Sequence, residues 1–70
     1  MQIQLNGEAH ILAPELTPAP TVAQLVESLG LAGRRIAVEV NEEIVPRSEH
    51  VATRLAEGDR VEVVHAIGGG

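Results

Sequence analysis

Apolar and polar residues alternate at both ends of this chain and fall at helical spacing near its middle. Met1, Ile3 and Leu5 alternate with Gln2 and Gln4, the period of a strand with one buried face. Asn6-Gly7 is a strong two-residue hairpin signal, and Ala9-His10-Ile11-Leu12 returns as the second strand. Pro14, Pro18 and Pro20 exclude helix and central strand, so the segment that follows is a crossover loop. Thr21 and Gln24 form a T-x-x-Q capping box, and Val22, Leu25, Val26 and Leu29 make one apolar stripe on a helix of about two turns. Gly30 suits the left-handed position after the helix, with Leu31 placed against Val26 as a Schellman ending requires.

Beyond Gly33-Arg34-Arg35, the run Ile36-Ala37-Val38-Glu39-Val40 alternates as a third strand with Ile36, Val38 and Val40 facing inward. Asn41-Glu42-Glu43 turns the chain into a short fourth strand, Ile44-Val45-Pro46, which Pro46 confines to an edge because it has no donor. Ser48 is expected to cap one helical turn running to Val51. Leu55 is the next core anchor, and Glu57-Gly58-Asp59 is a turn. The last strand runs from Arg60 to Ala66, with Val61 and Val63 toward the helix and Glu62, Val64 and Ala66 on the other face. The expected architecture is α+β, a mixed four- to five-stranded sheet crossed by one helix.

That last strand leads directly into Gly68-Gly69-Gly70. Glycine has no Cβ, so such a segment passes through a channel too narrow for other residues. A carbonyl at Gly70 is also unhindered toward a nucleophile once activated. The division expected is a folded domain over 1–66 and a flexible Gly-rich tail over 67–70. The alternative for any Gly-rich end is a frayed terminus or an expression scar. Val64, Ala66 and Ile67, beside the tail, are candidate contacts for a docking partner.

Composition narrows the chemistry. Seventy residues make one domain, near the size at which a core alone can hold a fold. Nine Val, seven Leu and five Ile with no aromatic residue mean a core of branched aliphatic side chains. No cysteine is present, which excludes a disulfide framework, a thiolate metal site and an internal sulfur nucleophile. A formal net charge of −5 opposes phosphate contacts, and no ring is available to stack on a base, so nucleic-acid binding is set aside. With no apolar run of about 20 residues and no basic leader pattern, a cytoplasmic protein is the expectation. Lysine is absent too, which an arginine-favouring codon bias explains and which is also compatible with an activated acyl group that must escape its own amines.

His10, His50 and His65 have none of the spacings that hold a metal, and no Ser, His and acid read as a triad. The triglycine precedes no helix, so it is not a phosphate loop. Arg34 and Arg35 either complement the helix dipole or meet an acidic partner surface, and Arg47 and Arg60 are equally open.

Element order and tail together resemble the ubiquitin-like β-grasp family. The segments MQIQLNGE (1–8), IAVEVNEEIVPRSEH (36–50) and EGDRVEVVHAIGGG (57–70) are similar to the thiazole-biosynthesis sulfur carriers of that fold, the ThiS family, over nearly the whole chain. Two departures stand out: a longer Pro-rich crossover over 13–20, and Glu42 where the family often has Gly, which leaves the turn type open. The resemblance implies a carrier and not an enzyme. The Gly70 carboxylate would be adenylated by a ThiF-type adenylyltransferase using ATP, converted to a thiocarboxylate by a persulfide donor, and used by a ThiG-type thiazole synthase. Gly68, Gly69 and Gly70 would enter partner active sites, and the chain itself would bind no cofactor or metal. The alternatives are another β-grasp sulfur carrier, of the molybdopterin synthase small-subunit type, a protein-conjugating modifier, or a noncovalent adaptor that docks through the open face around Val64.

Overall fold

The computed structural model describes residues 1–12 and 19–65. Within them are five strands and one helix: β1 (Gln2–Leu5), β2 (Glu8–Ile11), α1 (Val22–Ser28), β3 (Ile36–Val40), β4 (Glu43–Val45) and β5 (Arg60–His65), with a 3₁₀ turn over Arg47–Glu49. The strands form one mixed sheet in the order β2-β1-β5-β3-β4. β5 is central, parallel to β1 and antiparallel to β3. One face of the sheet carries Ile3, Val38, Val61 and Val63, which share a single aliphatic core with Val22, Leu25 and Val26 of α1 and with Leu12 and Leu55.

The β1–β2 hairpin closes through Asn6 (φ 51°) and Gly7 (φ 85°), the pair of positive angles that an Asn-Gly loop adopts at little cost. The β3–β4 hairpin repeats that geometry with Asn41 (φ 52°) and Glu42 (φ 72°). The departure at Glu42 therefore leaves a two-residue loop with both angles positive, and a glutamate carries the strain. β4 begins at Glu43, one residue earlier than the apolar pattern indicates, because Glu43 pairs with Val40 across this tight loop. It lies at the sheet edge, as Pro46 after it requires.

Although α1 has only seven residues, its amino end is fully satisfied. Thr21 Oγ1 accepts from the Gln24 amide, and Gln24 Oε1 accepts from the Thr21 amide at 2.8 Å, completing the capping box. The two remaining unpaired amides of the first turn, Val22 and Ala23, donate to the carbonyls of Thr53 (2.8 Å) and His50 (2.9 Å). At the other end, Leu31 N–H donates to Val26 C=O and Gly30 N–H to Glu27 C=O, both 3.0 Å, with Gly30 at φ 75°. These are the two bonds of a Schellman ending. No basic residue lies in the last helical turn, so Arg34 and Arg35 sit beyond it, exposed.

Ser48 does not cap a helical turn. The turn is 3₁₀, begins after Pro46, and has no side-chain cap. Proline presets the φ of its own position, −58° here, so the following turn needs no hydroxyl to start it. His50 ends that turn and is buried, with its Nε2 3.1 Å from the Val45 carbonyl.

Candidate functional site

The candidate site is the outgoing end of β5 and the sheet face that α1 leaves open. β5 enters the sheet through a network around Asn41. The Asn41 amide donates to the Arg60 carbonyl (2.7 Å), Asn41 Oδ1 accepts from the Arg60 amide (2.9 Å), and Asn41 Nδ2 donates to Asp59 Oδ1 (3.0 Å). On leaving the sheet, β5 is held on one side by β3, with His65 opposite Ile36 and Val64 opposite Ala37.

On the other side β1 ends one residue before it would be needed. The Asn6 amide still donates to the Val61 carbonyl (2.9 Å), but positive φ then turns the backbone away. Asn6 Oδ1 replaces the lost main-chain acceptor and takes the Val63 amide at 2.9 Å. The direction in which β5 leaves the sheet is thus fixed by a hairpin 57 residues earlier in the chain.

Val64 lies on the open face and is 51% exposed, as its place in the alternation indicates. Ala37 stands opposite it on β3, and Ile44, 70% exposed, faces the same side opposite Glu39. Between them Glu39 and Glu62 are directly paired across β3 and β5. Like charges directly opposite one another destabilise a sheet, so this pair costs the fold stability. Ile44 and the Glu39–Glu62 pair were missed from sequence. The alternation of β3 and β5 assigns both glutamates to the outer face, but only strand order reveals that they are neighbours. Ala66, Ile67 and the tail residues Gly68, Gly69 and Gly70 lie outside the described residues.

The three histidines are not brought together. His50 is buried against Val45, His65 is exposed at the end of β5, and His10 is paired with Ile3 on the edge hairpin. Among the described residues, no group of three His, Cys, Asp or Glu is placed to hold a metal ion. No helix of the described residues is long and apolar enough to cross a membrane.

A mixed sheet with a central last strand, two hairpins and one helix across a single face is a ubiquitin-like β-grasp domain. The crystal structure of the thiamine biosynthesis protein ThiS from Geobacter metallireducens superimposes with a TM-score of 0.83 at 30% identity, each chain covered in full. The sulfur carrier protein ThiS of Bacillus subtilis is 34% identical over 68 residues, covering 97% of this chain and 98% of that one. A thiazole synthase of Magnetococcus marinus is 43% identical over 70 residues, and one of Paramagnetospirillum magneticum 39%. All of this chain is covered in both matches, yet it spans only 20% of the length of either synthase. The ThiS family model matches residues 3–70, and the chain belongs to the ThiS family.

Proposed function

We propose that this domain carries sulfur for thiazole formation in thiamine biosynthesis, with the carboxylate of Gly70 as the group that is charged. The observation that carries the reading is the span of the family match. It runs through Gly68, Gly69 and Gly70, which supports reading the glycines as part of the carrier. The names of the Bacillus subtilis and Geobacter metallireducens relatives support it. A similar segment within the two thiazole synthase chains supports a ThiG-type synthase as the acceptor.

The chemistry asks little of the folded body. An anionic carboxylate resists nucleophiles. Attack by that carboxylate on the α-phosphorus of ATP, in a ThiF-type adenylyltransferase, expels pyrophosphate and leaves an acyl adenylate with a neutral carbonyl. A persulfide sulfur then adds to the acyl carbon and AMP departs. In the resulting acyl disulfide a thiol attacks the donor's own sulfur, forming a disulfide with it and breaking the persulfide S–S bond, so the thiocarboxylate departs, a nucleophile that a thiazole synthase can consume. ATP belongs to the activating partner, and the carrier supplies no acid, base or metal. From His65 the five residues to Gly70 reach about 17 Å when extended. Tethering at that length raises the effective concentration of the thiocarboxylate within an acceptor site.

The test is to vary the tail with the fold kept. Deleting Gly70, or adding one residue after it, is expected to abolish sulfur transfer to a thiazole synthase while thermal melting stays unchanged. Full transfer by either variant would overturn the proposal, and an unaltered requirement for Val64 alone would leave a docking adaptor in its place.

A further inference from the structure

On the side of the sheet that carries α1, away from the open face, a cavity of about 210 Å³ lies between the end of the helix and the 47–51 segment. Its lining is aliphatic at Val26, Leu31 and Ile36, and is completed by exposed Val51 and Arg47 and by the buried His50. Val51 is 73% exposed beside it, so an apolar side chain is available to a bound segment. His50 is already engaged with the Val45 carbonyl, and Arg47 reaches across to the carbonyl of Arg34, so both are positioned. The cavity falls below the roughly 300–1,000 Å³ of sites that enclose drug-sized ligands, a size for one aliphatic side chain and not for a nucleotide.

Charge identifies what brings that side chain. The molecule has ten acidic residues and only five arginines, yet Arg47 lines this cavity and Arg34 and Arg35 adjoin it, on the loop between Gly33 and Ile36. No carboxylate is among the residues that line it. We propose that this cavity is a second docking site, which receives a branched aliphatic side chain of a partner protein flanked by carboxylates. It lies on the opposite side of the sheet from Val64, and does not depend on the sulfur chemistry.

The experiment is an amide NMR titration of the full chain with synthetic peptides. The probe is an acetylated pentapeptide with one leucine between two pairs of glutamates. The expected result is shifts of the Ala23, Leu31, Gly33 and Val51 amides that weaken as salt is raised. Replacing the leucine by serine, or the glutamates by lysines, should weaken binding at least tenfold. The protein variants R47E and R34E/R35E should do the same, and the second leaves the Arg34 carbonyl available to Arg47, so it separates charge from loop structure. Absence of shifts at millimolar peptide, or shifts centred on Ile44 and Val64, would overturn the proposal. Isovalerate binding as tightly as the peptide would also overturn it, by making this a site for small carboxylates and not for a protein segment.

Discussion

Asn6 and Val63 are joined by a 2.9 Å hydrogen bond in which a turn side chain stands in for a strand that has ended. The bond is partly buried, and nothing else in the hairpin is placed to accept the Val63 amide once β1 has turned away. Asn6→Gly retains the positive φ and removes the acceptor, with glycine's greater loss of entropy on folding as the accompanying cost. A loss of about 1 kcal/mol in urea unfolding is expected, with faster hydrogen exchange at the Val63 amide. Unchanged exchange there would show that β5 is held by β3 alone.

Glu42 is the one residue in the two hairpin loops whose type does not suit its backbone, at φ 72°. Its side chain is exposed and no neighbour compensates the strain. Glu42→Gly should raise stability by roughly 0.5–1 kcal/mol, the relief of the left-handed angle less the greater entropy that glycine loses on folding. Glu42→Gln, which removes only the charge, should raise it by less. Equal gains from both would assign the effect to electrostatics between Glu42 and Glu43.

Leu25 is 1% exposed at the centre of the helix–sheet contact. Leu25→Ala is expected to cost about 2–5 kcal/mol, a large part of the stability of so small a domain. Circular dichroism on heating measures it, and a melting curve like that of the parent would contradict the packing described above.

Val64 offers the opposite case. Half exposed on the open face, it can become Val64→Asp at a cost of about 1 kcal/mol, the span of strand propensity, well below that of Leu25→Ala. Binding to a ThiG-type synthase should nevertheless fall at least tenfold, because a third acid joins Glu39 and Glu62 and the apolar contact is lost. Affinity equal to the parent by calorimetry would remove the open face from the docking surface.

Local signals carried much of this fold. The capping box of Thr21 and Gln24, the Asn6-Gly7 loop, the Schellman ending at Gly30 and the inward set Ile36, Val38 and Val40 all depend on residues within a few positions of one another, which is why a single sequence reveals them. Strand order does not have that property. The parallel pairing of β1 with β5, the neighbouring of Glu39 and Glu62, and the bond from Val63 to Asn6 join residues far apart in the chain, and only the resemblance to a known family indicated the topology. Ser48 misled because a hydroxyl three residues before an apolar Val51 reads as a cap, whereas Pro46 sets that turn by itself. The cavity beside Val51 was invisible for a similar reason: it is made by the meeting of three separate segments, and His50 reads from sequence as a solvated or structural histidine with nothing to mark a neighbour.

The most direct test of the carrier account is intact-mass analysis of the chain, ending at Gly70, after incubation with a ThiF-type adenylyltransferase, ATP and a persulfide donor. The account predicts a mass increase equal to exchange of one oxygen for sulfur, dependent on ATP and located in the fragment that contains Gly68-Gly69-Gly70. A chain that keeps its mass while the same enzyme charges a known carrier in a parallel reaction, or that gains sulfur anywhere else, would contradict it.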